Sequence, residues 1–303
     1  MRKRDSRPGF SAALALVLAF LSCAAKADAS EAPIPHGTIE IVAQNESIEP
    51  GRDFNIALHF QLDKGWHIYW ANPGDSGEPP RVEWKMPKGV TAEEIEWPAP
   101  HRLGTPTIVD YGYEDAVTLI VPVRTEKNLA AQQSARIDAQ VKVLICREMC
   151  IPGKAQLSLT LPIKSQTAAP NSKTAGLFAA ARKSLPQHAP QGWKFSVDNT
   201  KSSFVLRGNV GRQTTRAIFF PLNESQIDNA AAQDLAPTDA GFRLTLRKSE
   251  QLLKPIARLK GVLVLSDDRA YWIDLPVNKP GAAQNNSGMN VEPQHFVKEG
   301  KKT

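Results

Sequence analysis

Between His36 and Ile163, short runs of alternating apolar and polar residues recur, each broken by Pro, Gly, Asp or Asn. Thr38-Ile39-Glu40-Ile41-Val42 is the first, and Asn55-Ile56-Ala57-Leu58-His59-Phe60 the next. Residues 66–70, 82–84, 117–123, 137–145 and 157–161 continue the series. Side chains on a strand alternate between two faces, so a period of two marks half-buried antiparallel strands. Roughly seven or eight such runs in about 130 residues predict a two-sheet, immunoglobulin-like β-sandwich. The segment Asn72-Pro73-Gly74-Asp75-Ser76-Gly77 is too rich in turn formers for a strand and reads as a tight loop.

Residues 164–191 change character. Ser, Thr, Ala and Pro dominate, around one helical segment at 175–185 that Pro186 stops. This stretch is a linker, or a helix packed between domains. Alternating runs resume at 193–197, 204–206, 217–220, 242–246, 262–265 and 271–275. The expected fold is therefore all-β: an immunoglobulin-like sandwich over 30–163, a linker with a short helix over 164–191, and a second, smaller β-sandwich over 192–278. Residues 279–303 are polar and read as a disordered tail.

The N-terminus has the form of an export signal. Arg2, Lys3, Arg4 and Arg7 precede an apolar run from Phe10 to Leu21, and Ala27-Asp28-Ala29 fits a cleavage site. Cleavage there removes residues 1–29, Cys23 included, and delivers a periplasmic protein. An apolar run this short does not comfortably span a bilayer. The formal net charge of +6 suggests nucleic acid only at first sight. Residues 1–29 carry five Lys/Arg against two acids, and 279–303 carry four Lys against two Glu. The remainder is almost neutral, so a nucleic-acid partner is not expected.

Beyond the leader only Cys146 and Cys150 remain, in Cys146-Arg147-Glu148-Met149-Cys150-Ile151-Pro152. An exported pair at this spacing is expected to form a disulfide. Three roles fit it. As a structural staple it closes so small a loop that it contributes only about 2 kcal/mol, against ~4.7 for a 100-residue loop. As an exchange pair it profits from Pro152 fixing the exit, and Arg147 and Lys154 favour a thiolate that Glu148 opposes. As a metal site, Cys146, Met149 and Cys150 are soft ligands suited to Cu(I), which would make the chain a copper-binding or copper-tolerance protein. A non-catalytic interaction module with a structural disulfide is a further alternative. Trp66-His67-Ile68-Tyr69-Trp70 reads as a strand with alternate rings in the core, with an aromatic ligand platform as the alternative. Asp110-Tyr111-Gly112-Tyr113-Glu114 is either a loop before the Val117 strand or a segment that shields a reactive group. Phosphate loops, zinc-protease and serine-hydrolase motifs and a C-x-x-C pair are absent from the sequence.

Taken together, residues 66–77, Trp97-Pro98-Ala99-Pro100, Tyr111-Gly112-Tyr113-Glu114 and 146–152 resemble the periplasmic N-terminal domain of DsbD-type thiol:disulfide interchange proteins. The likeness is strongest to the variant in suppressor-of-copper-sensitivity membrane reductases. Phe219-Phe220-Pro221 and Gly261-Val262-Leu263-Val264-Leu265 look like that variant's second β domain. The resemblance implies thiol:disulfide oxidoreductase activity with no cofactor beyond the cysteines. Cys150 would form the mixed disulfide and Cys146 would resolve it. It implies a membrane-embedded thiol reductase as electron source, and thioredoxin-like or disulfide-containing periplasmic proteins as partners. It also implies a cap loop near residues 104–113. There Pro106 and Ile108 stand in place of the usual aromatic residues, and Tyr111, Tyr113, Glu114 and Pro152 are the candidate cap or tuning residues.

Overall fold

The computed structural model describes residues 29–131 and 133–278. The leader up to residue 28 and the tail from 279 lie outside the described residues. In chain order the elements are β1 (Glu31–Ile34), β2 (Gly37–Ala43), β3 (Phe54–Leu62), β4 (His67–Gly74), β5 (Arg81–Lys85), β6 (Val90–Ala92), β7 (His101–Gly104), β8 (Val109–Glu114), β9 (Ala116–Thr125), β10 (Ser134–Cys146) and β11 (Cys150–Pro162). Helix α1 (Ala175–Ser184) follows. Then come β12 (Lys194–Asn199), β13 (Ser203–Asn209), β14 (Ala217–Pro221), β15 (Asp234–Thr238), β16 (Gly241–Arg247), β17 (Arg258–Leu265) and β18 (Ala270–Asn278).

The first eleven strands form two facing sheets. One has the order β1-β2-β3-β9-β6, the other β11-β10-β4-β8-β7, with β5 also paired to β10. The alternation read in the sequence is the cause. Along β10, Ala135, Ile137, Ala139, Val141, Val143 and Ile145 point inward and are buried. They share a core with Ile41, Phe60 and Leu119 of the opposite sheet. Hydrophobic burial on one face of each sheet is what makes two sheets stack. The chain is thus all-β with an immunoglobulin-like sandwich, as the sequence pattern predicts.

The later strands form a second β unit. The order is β14-β17-β18-β12-β13-β16-β15. Strands β18 and β12 run parallel and meet only through Val277 and Asn278, so the sheet folds over at that joint. Phe204, Leu206 and Leu244 from one half pack with Phe219, Leu263 and Ile273 from the other.

Helix α1 lies on the outer face of the first sheet. Phe178 and Ala181 are buried against Val42, Ala57 and Ile120. The Thr174 hydroxyl donates to Ala43 O at 2.8 Å, and the Arg182 guanidinium donates to Gln44 Oε1 at 2.6 Å. Beyond the helix, Gln187 N donates to Ala270 O and Trp272 N donates to Gln187 O, which ties the connection to β18.

The two β units also touch directly. Phe220 and Leu222 of the second unit join the core of the first. The Phe220 ring lies 6.4 Å from Trp70 and 5.2 Å from Tyr111, both edge-on. Asn72 Nδ2 donates to Pro221 O at 2.7 Å.

Two sequence readings are corrected. Residues 72–74 continue β4 instead of forming a loop. The register passes from Tyr69↔Gly112 to Gly74↔Asp110, so β4 carries extra residues and bulges there. Asn72 Oδ1 accepts the Gly74 amide at 3.1 Å, which lets turn-forming residues sit inside a strand. The turn itself starts at Asp75. Residues 109–114, which overlap the cap loop expected near 104–113 and the loop reading of 110–114, are strand β8, paired to β4 on one side and β7 on the other. The loop between β7 and β8 is only residues 105–108, closed by Thr105 N donating to Ile108 O at 2.9 Å.

Candidate active site at the tip of the β10–β11 hairpin

Strand β10 ends at Cys146 and β11 begins at Cys150, and the two are direct cross-strand partners. A disulfide joins them, with Cα atoms 4.1 Å apart. Three residues make the turn, and Arg147 N donates to Met149 O at 3.1 Å. The two cysteines differ in access. Cys146 is 2 % exposed and has β4 on its other side, whereas Cys150 is exposed on an outer strand. Met149 beside it is 66 % exposed.

The sulfurs lie on the outer face of their sheet. Ile145 and Ile151, one residue inward on each strand, face the core and are cross-strand partners. Pairing then extends the row outward from Cys146 to His67 on β4 and from His67 to Glu114 on β8. Cross-strand partners share a face. Tyr69, two residues along β4, is on this face too, and its hydroxyl lies 3.6 Å from Cys150 Sγ.

The Tyr69 ring is held from above. Gly77 has φ +80°, and a Cβ built there would fall 2.1 Å from Tyr69 Cζ. Only glycine lets the chain lie flat on the ring in that conformation. Next to it, Ser76 donates to the Asp110 carboxylate from both its amide, at 3.0 Å, and its hydroxyl, at 2.9 Å.

The titratable groups here are shaped by burial. The Asp110 carboxyl is pushed up by desolvation, which the two Ser76 hydrogen bonds oppose. The Tyr69 phenol is likewise raised by burial, while Ser76 pulls it down. Burial lowers the His67 imidazole, although Asp110 and Glu114 act the other way. His67 Nε2 is buried and, among the described residues, has no hydrogen-bond partner. Trp66 stacks on His36 with ring centres 3.7 Å apart, and the Arg147 guanidinium lies 5.5 Å from the Trp66 ring. Arg147 also pairs with Glu148 at 3.1 Å. The turn is therefore anchored through its arginine while Met149 stands free of the core.

Strand alternation separates the candidate cap residues. Tyr111 and Tyr113 project from the face of β8 opposite to Glu114 and belong to the sandwich core. Their hydroxyls donate to Asn229 Oδ1 at 2.9 Å and to Pro98 O at 2.7 Å. Burial raises both phenols. Pro106 and Ile108 are exposed in the β7–β8 turn, at the far end of β8 from the row that holds the sulfurs. Glu114 shares that row, and Pro152 is exposed on β11 opposite Leu144. Outer strands tolerate the missing amide of proline. The cover on Tyr69 comes instead from residues 76–77, in the segment whose composition predicts a tight loop. Sequence alone marks 110–114 as a candidate shield and 66–77 as a resemblance segment, but it assigns none of Tyr69, Ser76, Gly77 and Asp110 individually to the cysteine site. Alternation held the signal: with Tyr111 and Tyr113 facing the core, Asp110 and Glu114 must face the other way.

As a soft-metal site the trio Cys146, Met149 and Cys150 has its two sulfurs bonded to each other. Among the described residues no group of three or more His, Cys, Asp or Glu side chains could hold a metal ion.

Residues 40–162 match the family model described as thiol:disulfide interchange protein DsbD, N-terminal. This part of the chain is a DsbD-type N-terminal domain. The match spans the disulfide, Tyr69 and Asp110. The solved N-terminal periplasmic domain of ScsB from Proteus mirabilis is similar in fold, with a TM-score of 0.61 and 15% identity over 82% of this chain and 98% of that one. The fold likeness therefore reaches past the DsbD-type domain into the second β unit. The periplasmic chaperone SfaE is also matched, at 10% identity over 79% of this chain and 99% of its own, with a TM-score of 0.20. No curated protein matches the chain.

Proposed function

We propose that the chain is a periplasmic thiol:disulfide exchange protein. It carries electron pairs from a membrane-embedded thiol reductase to thioredoxin-like or disulfide-containing partners. The observation that carries this reading is the asymmetry of the pair: Cys150 is exposed beside the Tyr69 hydroxyl, and Cys146 is buried behind it. An incoming thiolate must approach in line with the S–S bond. The exposed sulfur is the one a second protein can reach. The export signal and the likeness to the ScsB periplasmic domain support the location. Among the described residues no helix is long and apolar enough to cross a membrane.

The chemistry balances with two sulfurs and no added group. In loading, a donor thiolate attacks Cys150 Sγ, the S–S bond breaks, and Cys146 leaves as a thiolate. The donor's second thiolate then attacks its own sulfur in the mixed disulfide. Cys150 is released, and the donor keeps the new disulfide. In unloading, the Cys150 thiolate attacks an acceptor disulfide. Cys146 then attacks Cys150 Sγ, which re-forms the intramolecular bond and frees the acceptor as a dithiol. Two electrons move in each half, and protons exchange with solvent.

The test is trapping. Cys146→Ser should accumulate mixed disulfides through Cys150 on incubation with a periplasmic extract, seen by non-reducing electrophoresis. Cys150→Ser should trap far less. Equal or absent trapping would remove the assigned roles. Retention of one Cu(I) per reduced chain, lost on substitution of Met149, would assign the same sulfurs to metal instead.

A further inference from the structure

The second β unit meets the turn beside the cysteine pair through Asn229. Asn229, in the loop between β14 and β15, is 7 % exposed and uses three of its polar atoms on the DsbD-type domain. Its Oδ1 accepts the Tyr111 hydroxyl at 2.9 Å, and its backbone oxygen accepts the Arg102 guanidinium at 2.7 Å. Its Nδ2 donates to Asp75 Oδ1 at 2.8 Å. Asp75 is the first residue of the turn after β4. Its other oxygen accepts Val109 N at 2.8 Å, and its own amide donates to Val109 O at 3.0 Å. The next residue, Ser76, is bound to Asp110, and the one after, Gly77, lies on the Tyr69 ring whose hydroxyl meets Cys150.

We propose that Asn229 is a positioning residue for the exchange site. By clamping Asp75 from the second β unit, it holds the 75–77 turn down on Tyr69 and so aims the phenol at Cys150. The proposal rests on the exchange reading but concerns the reactivity of Cys150 itself.

The physical reason is that the turn is solvent-exposed at Asp75 and Ser76. Exposed turns with few apolar contacts open locally at low cost. Gly77 gives the turn no side chain to anchor it. What pins it are the hydrogen bonds at Asp75 and Ser76, and the one to Asn229 comes from outside the domain. When Cys150 is a thiolate, a correctly placed hydroxyl donates to it and favours the charged form. A turn that lifts lets the ring swing and loses that bond. Asn229 thus gives the second β unit a function in the chemistry, although it contributes no sulfur.

The experiment isolates Cys150 in the full chain with Cys146→Ser. The pH profile of iodoacetamide alkylation then reports its thiol. In this background Asn229→Ala should move the profile to higher pH and slow alkylation at neutral pH by roughly threefold to tenfold, the range expected for one charge-assisted hydrogen bond partly lost. Tyr69→Phe should do the same. The double variant should match Tyr69→Phe alone, because the clamp acts only through the phenol. If Asn229→Ala does not fold, Asp75→Ala cuts the same link from the other side. An unchanged profile with Asn229→Ala or Asp75→Ala, or additive effects with Tyr69→Phe, would overturn the proposal. Failure of the exchange reading shows separately, as absent trapping by Cys146→Ser with an intact alkylation pattern.

Discussion

The hydroxyl of Tyr69 lies 3.6 Å from the sulfur of Cys150, across two strands that are not neighbours in the sheet. The contact exists because β4 bulges after Tyr69 and its following turn folds back, so that Gly77 presses on the ring. A redox hairpin alone would leave Cys150 with water as its only partner. The phenol gives it a donor that the rest of the site holds in place.

Substitution of Gly77 by Ala tests that packing. The new methyl meets the ring carbons, and φ +80° is unfavourable for any residue with a Cβ. A loss of about 1–3 kcal/mol is expected, as for overpacking elsewhere. It should be seen in urea unfolding, together with slower alkylation of reduced Cys150. Unchanged stability would mean that the turn does not sit on Tyr69 in solution.

The pH dependence of stability has a defined sign. His67 and His59 are both held below their ordinary value of 6.5 by burial. Below that pH the unfolded chain takes up protons that the folded chain refuses, so stability falls as pH drops through about 6.5 and levels off beneath the depressed folded values. Asp110 works in the opposite sense at lower pH. Its raised carboxyl holds a proton in the folded state after the unfolded state has lost it, so its contribution is present below 3.8 and is lost as pH rises through the folded value. Urea midpoints at pH 7.5 and 5.5 should differ, and His67→Gln should reduce the difference without abolishing it, since His59 remains. An unchanged difference would show that His67 is protonated or exposed in the fold.

Reduction should leave the fold standing. The bridge closes a loop between residues only four apart, which contributes about 2 kcal/mol. Typical domains have 5–15 kcal/mol in reserve. Circular dichroism of the reduced protein should stay all-β, with a modest fall in melting temperature. Unfolding on reduction would assign the disulfide to structure.

Helix α1 supports a prediction about the connection. Phe178 is fully buried between the helix and the first sheet. Phe178→Ala should cost about 3–5 kcal/mol and expose the stretch around 164–191 to proteases. In the unaltered chain that stretch should be cut slowly. Rapid cutting before substitution would mean the helix is not docked.

These outcomes also show what was legible in the sequence. Strict alternation in residues 137–145 carries enough information to define both a strand and its buried face. The strand at 109–114 is hidden because Asp110 and Gly112 are turn formers by composition, yet with Glu114 they occupy the face where polarity is useful. The same is true of Asn72 and Gly74, whose local hydrogen bond keeps them in β4. The cysteine pair was readable because its spacing is local. Tyr69 and Asn229 were not, since their partners are 81 and 154 residues away in sequence. Nothing in a single chain marks such distant pairs before the sheets are assembled.

The central claim is that Cys146–Cys150 is an exchange disulfide, and its reduction potential tests this most directly. The oxidised fraction should be read by mass spectrometry after equilibration in thiol buffers of graded potential. A reversible two-electron transition is expected above about −300 mV, with the fold intact on both sides, in the range of exchange proteins. A pair that stays oxidised well below about −300 mV, where structural disulfides lie, would contradict it.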